Sequence, residues 1–155
     1  MDDLAGVVEL VNRLGRACAG IETMATAAFA RRDEVPDPAD PFADPPPQQV
    51  RGVGFVHDDA GLEVAHLLRL SEGSGCTRVD RAAELTCRMP LTLAAVLDAR
   101  IELWQAHQIL DECRLLDDEH ARQVDAWLSG RLGRIEPTRL RAAGAIPVLI
   151  TATTE

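Results

Sequence analysis

An all-α protein is the class this sequence predicts: a long N-terminal helix, a Pro-rich linker, and then a multi-helix bundle containing a helix-turn-helix-like pair. Three observations predict it. Apolar residues make up 46% of the chain while aromatics are only 3%, so the core is built from Leu, Val, Ile and Ala, a composition that suits packed helices. Apolar residues recur at helical spacing in stretches separated by Gly, Pro, Ser and Asp, the residues that start and stop helices. The length, 155 residues, is enough for one core with appendages rather than two independent cores. The expected segments are a helix over 1–33, a linker over 34–52 and a helical domain over 53–155.

From Asp2 to Arg32 the chain has no proline, and Leu4, Val7, Val11, Leu14, Cys18, Ile21, Ala25 and Ala28 recur at alternating steps of three and four. That is heptad spacing, which sets one narrow apolar seam along a helix. The seam is expected to be buried, either on this chain's own core or as a self-association surface between two copies. Between Pro36 and Pro47 prolines crowd the chain. Each lacks an amide donor and disfavours helical geometry in the residue before it, so a stiff extended spacer is expected.

Beyond Arg51 helical patterns alternate with breakers. Asp58 or Asp59 is placed to cap a helix with Val64, Ala65, Leu67 and Leu68 on its apolar face, and Ser71 or Ser74 to cap the next, with Val79, Ala82, Ala83 and Thr86 inward. Pro90 opens a short helix through Leu93 and Leu97. Leu103, Ala106, Leu110 and Cys113 mark another. Asp117, Asp118 and Glu119 form an acidic first turn, favourable at the positive end of a helix dipole, for a helix using Ala121, Val124, Leu128 and Leu132, with Gly130 near its end. Pro137 starts one more, and the run from Val148 to Thr151 fits either a strand or a frayed helix; at most one short strand is expected, near 148–152.

The formal charge is −9, and all 16 basic residues are arginine. An acidic chain is repelled by the phosphate backbone, so DNA binding starts with a handicap. Cys18, Cys76, Cys87 and Cys113 form no Cys-x-x-Cys pair, and Cys76 and Cys87 share a helical seam with Val79 and Ala83, which predicts buried reduced thiols rather than disulfides or zinc ligands. The N-terminus has no basic region followed by an apolar run, so neither a signal peptide nor a membrane span is expected, and the cytoplasm is the expected compartment.

The stretch from Val64 to Ser71, then Arg78-Val-Asp-Arg-Ala, then Met89 to Ile101, resembles the 13E12 repeat family, also called domain of unknown function 222. Ser71 precedes Val79 by eight residues, Met89-Pro90-Leu91-Thr92 matches a Leu-Pro-x-Thr element, and Leu97 to Ile101 matches Leu-x-x-Gly-x-Ile. The later stretches beginning at Leu115 and Glu136 also fit, so the resemblance covers roughly 55–143. Ala99 stands where the family usually has Gly, Glu136 where a Thr or Ser cap is common, and Gly144 and Pro147 interrupt what is often helix. The resemblance implies a helical region, abundant in actinobacteria and their mobile elements, that commonly precedes an HNH endonuclease domain. Nothing after Ala143 supplies the histidines, Asn and cysteines of an HNH site, so the chain is either the first part of a longer protein or a short relative.

No residue set points to catalysis, a cofactor or a small-molecule substrate. His57 with Asp58 and Asp59, and His107 with Asp111 at i and i+4, lack further metal ligands, and capping accounts for the aspartates more simply. The helix pair around Ser71 reads as a helix-turn-helix variant: Leu62 to Leu70, a turn over Ser71 to Gly75, then a helix exposing Arg78, Arg81 and Arg88. Asp80 and Glu84 lie between those arginines, so a mixed-charge solvated face is the simpler reading. Arg131, Arg134, Arg139 and Arg141 form the one locally basic stretch. The expectation is therefore a non-catalytic accessory domain that contacts duplex DNA or positions a nuclease, with a protein-interaction or dimerisation module as the alternative.

Overall fold

The computed structural model describes residues 2–32, 48–50, 54–57 and 59–133. Among the described residues six helices carry the fold, α1 (Asp2–Ala30), α2 (Ala60–Leu68), α3 (Glu72–Arg88), α4 (Pro90–Leu97), α5 (Leu103–Glu112) and α6 (Asp118–Ser129). The helical class is as the composition predicts. A small sheet is an addition the sequence reading did not contain: β1 (Arg31–Arg32), β2 (Gln48–Val50) and β3 (Gly54–Val56) pair antiparallel in the order β1-β3-β2. This corrects the expectation of at most one strand, and it ends α1 at Ala30 and places β2 inside the stretch read as linker. The strands are only two or three residues long, a length at which neither alternation nor β-propensity leaves a readable signal. The prolines of 36–47, the helix read from Pro137 and the run at 148–152 lie outside the described residues.

Two compact units divide the chain, one from Met1–Glu22 with Arg88–Glu155 and the other Thr23–Cys87. In the second, a core of Ala30, Val56, Ala60, Val64, Val79 and Ala83 is made almost wholly of small side chains, with Cys87 packed against it. Small residues permit close approach of helices. A methyl at Gly75 would lie 2.2 Å from the Gly61 carbonyl oxygen, and one at Gly61 would lie 2.9 Å from the Cys76 Cα, so α2 and α3 meet nearly backbone to backbone. The turn between them is Arg69 to Ser71, shorter than the Ser71 to Gly75 turn read from the sequence. Gly75 is thus a packing residue inside a helix rather than a loop residue.

Local chemistry fixes the ends of these helices. Ser71 Oγ accepts a hydrogen bond from the Ser74 amide at 3.3 Å, so Ser71 is the cap of α3. Asp59 occupies the residue before α2 but makes no side-chain capping bond. On that helix Val64 and Ala65 are buried as expected, whereas Leu67 and Leu68 face solvent.

In the other unit α4 packs against α5 and α6. Leu93 of α4, Ala106 and Leu110 of α5, Cys113 after it, and Ala121, Val124 and Leu128 of α6 are buried, as the helical spacing predicts, whereas Leu97 and Leu103 are half-buried and Val96 and Ile109 are buried in addition. The carboxylate of Asp125, on α6, caps α4: its oxygens accept from the amides of Leu91 and Thr92, each at 2.8 Å, and from the Thr92 hydroxyl at 2.6 Å. Burial pushes the Asp125 carboxyl above the ordinary carboxylate value, while those hydrogen bonds pull it back down. Asp117 caps α6, accepting from the His120 amide at 2.9 Å, and the backbone and side-chain bonds from His120 hold its carboxyl below the ordinary value.

Candidate interaction surface

The N-terminal helix carries the largest departure from expectation. Its heptad residues Leu4, Val7, Val11, Leu14, Cys18 and Ile21 are all exposed, Leu4 at 71% and Leu14 at 62%, and so are Ala25 and Ala28. The seam is therefore not buried on this chain, which corrects one of its two expected fates. The reason is that α1 turns another face inward. Gly20 packs on Leu97, where a methyl group would come within 3.2 Å of backbone, and the Arg16 guanidinium is bonded to the Glu102 carboxylate and to the Ala99 carbonyl oxygen at 3.1 Å. Thr23, Thr26, Ala27 and Ala30 are the buried residues further along. With Leu4 at heptad position a, Arg16, Thr23 and Ala30 fall at position f and Gly20 and Ala27 at c, the side of the helix opposite the a and d seam.

The exposed seam is wider than its heptad core. Val8 and Leu10, at the flanking positions e and g, are also exposed, so Leu4, Val7, Val8, Leu10, Val11 and Leu14 present six large apolar side chains to water within about three turns. All residues from Asp3 to Gly15 are exposed, so among the described residues nothing buries this part of α1. Soluble proteins rarely leave so contiguous an apolar patch open unless something docks on it.

The arginines read as DNA contacts fare differently. Arg88 is 1% exposed: its Nε lies 3.0 Å from the Asp118 carboxylate, and its Nη2 donates to the Leu116 carbonyl at 2.8 Å. It is a buried structural residue and is withdrawn as a DNA contact. Its place at the last turn of α3 looked solvent-facing by spacing alone, and the ion pair that holds it comes from a helix start some thirty residues on. Arg78 and Arg81 are half-buried, and the exposed residues of α3 are Glu72, Gly73, Ser74, Cys76, Thr77 and Asp80, a face with no positive charge. Arg131 is exposed and stacks over the Trp127 ring at 4.1 Å while donating to the Trp127 carbonyl. Arg134, Arg139 and Arg141 lie outside the described residues.

Cysteine placement also differs from the sequence reading. Cys113 is buried, and burial pushes its thiol up to about 11, but Cys76 is exposed and Cys87 half-buried. Cys76 is exposed although its Sγ lies beside Gly61 of α2, at the rim of the close contact between the two helices. Among the described residues no three His, Cys, Asp or Glu side chains converge as metal ligands, and no helix is long and apolar enough to cross a membrane. His57 lies 3.9 Å from Glu63 and edge-on to Phe29. Two interactions had no clear sequence signal, the Asp125 cap and the Arg88 ion pair. The first was hinted at only by an Asp sitting among Ala121, Val124 and Leu128 on an apolar face.

No family model matches the chain, and no curated protein or solved structure matches it either. The likeness to domain of unknown function 222 rests on the quoted motifs alone.

Proposed function

We propose that this chain is a non-catalytic interaction module that works by docking the apolar face of α1 onto another protein surface. The observation that carries the reading is the exposure of Leu4, Val7, Val8, Leu10, Val11 and Leu14 on one helix segment that no described residue of the chain buries. This stretch contains Gly6 and Gly15, which lower its helix propensity, so a partner would add to its order. In the setting that the family resemblance implies, such a module would position a nuclease rather than read the duplex. Direct DNA contact is the weaker reading, because one of the three α3 arginines is consumed in a buried ion pair and the exposed face of that helix is acidic.

The test is a photo-activatable cross-linking side chain placed at Val11 in cells producing the protein, with the same group at exposed Arg122 on α6 as the control. Adducts to protein at Val11 and none at Arg122 are expected. An unmodified Val11 site, or equal labelling at both, overturns the reading.

A further inference from the structure

The partner's chemistry can be read from the free segment itself. Resting on the docking reading above, we infer that the α1 face is covered by the same face of a second copy of this chain, the two helices running antiparallel and crossing at the level of Glu9. The continuously exposed stretch, Asp3 to Gly15, is centred on Glu9. When two such stretches are laid antiparallel about that centre, Leu4 meets the partner's Leu14 and Val7 meets the partner's Val11. Each layer pairs an a residue with a d residue, as antiparallel helix pairs require. Around the centre Val8 flanks one side of the seam and Leu10 the other, and each meets its own counterpart across the two-fold axis. The overlap ends at Arg16, where packing of α1 on Glu102 and Ala99 begins, so the partner occupies only surface that the described residues leave open.

Charge selects the direction. Asp3 lies at position g and Arg13 at position c, adjacent lanes on the same flank, and both are exposed. The antiparallel arrangement brings Asp3 of one copy beside Arg13 of the other on both sides of the axis, and it opposes the two helix dipoles. A parallel arrangement sets Asp3, at position g, beside the partner's Val8, at position e, and gives Arg13 no acidic neighbour across the pair. Closing over these six apolar side chains on each copy removes on the order of 1,000 Å² from water, which meets the lower bound for a specific interface. The pairing is isologous, so it closes at two chains and does not propagate.

Sedimentation of the full chain should show a dimer that becomes a monomer in the Val11→Asp, Leu14→Asp double variant, with the melting of α4, α5 and α6 unchanged. Register is read by cysteine cross-linking. Leu4→Cys protein mixed with Leu14→Cys protein should form the mixed disulfide on mild oxidation, identified by peptide mapping, while neither links to its own kind. In the proposed register residues 4 and 14 are opposite, whereas two copies of residue 4 are separated by about 15 Å along the axis. A Cys18 to Cys18 link in the unaltered chain marks a parallel pair and overturns the inference. A dimer that the Asp variant dissociates but without the mixed link overturns the register and leaves the docking reading standing. A monomer at every concentration whose Val11 cross-linker attaches to a different protein overturns the second copy alone. A monomer with no Val11 adduct overturns both.

Discussion

Ala99 shows how a single residue links the sequence motif to backbone geometry. It follows α4 with φ of +57°, in the left-handed region, where the Ala99 amide donates to Val96 and the Arg100 amide to Ala95 in the six-to-one pattern that ends many helices. The family resemblance places Gly here, and Gly alone takes this conformation without steric cost. Ala99→Gly is therefore expected to raise stability by about 0.5–1 kcal/mol, read as a higher melting temperature. Arg69 repeats the conformation after α2 at φ of +55°. Asp125 makes a second case. Asp125→Ala strands the Leu91 and Thr92 amides and the Thr92 hydroxyl, and about 2–3 kcal/mol should be lost in denaturant titrations. Because its folded carboxyl titrates above its unfolded value, the folded state holds this proton more tightly. Stability from this group is greatest below the ordinary value of 3.8 and falls as pH rises through the folded value, beyond which the penalty stays constant. Relative to Asp125→Asn, the parent should lose part of its stability advantage as pH rises above 3.8. An advantage that grows over that range contradicts the assignment.

At the scale of elements, the meeting of α2 and α3 depends on what their glycines lack. Gly75→Ala places a methyl against the Gly61 carbonyl and Ala65 and forces the helices apart, a strain expected to cost about 1–3 kcal/mol. Gly73, two residues earlier in the same helix, has nothing within 4 Å of an added methyl, so Gly73→Ala should stabilise by up to about 1 kcal/mol through helix propensity alone. Opposite signs in paired thermal melts separate packing from propensity; equal effects mean that α2 and α3 are not in close contact. The same logic explains α1. Its inward face is Gly, Ala and Thr, which bring backbones together, and its large apolar residues are left on the other side.

For the whole molecule, the charge of −9 and the fate of the arginines decide what a DNA experiment should show. Fluorescence titration with a duplex at physiological salt is expected to stay flat, and Arg78→Ala with Arg81→Ala should leave it flat. Arg88→Ala is a different variant. It removes the cation from a buried pair with Asp118, whose side chain keeps some access to water, and should lower stability by about 2–3 kcal/mol without any DNA phenotype. Tight binding that the double variant abolishes, with the fold intact, would restore the duplex as a partner.

Helix positions were largely legible because their signals are local: Pro90, Ser71 and Asp117 mark starts, and Leu93, Val79 and Val124 recur at the spacing a helix dictates. The helical class follows from such short-range rules, in which each residue's backbone preference and its neighbours three and four along decide the outcome. What covers a face does not follow from them. A heptad seam is the same pattern whether its own core or another chain buries it, and only the packing of Gly20 and the Arg16 ion pair with Glu102 settled which side of α1 turned inward. Arg88 and Asp125 were misjudged or missed for the same reason. Their partners, Asp118 and Thr92, lie tens of residues away in the chain, and pairing across that separation is decided by how the helices stack, a property of the folded chain that no local spacing encodes.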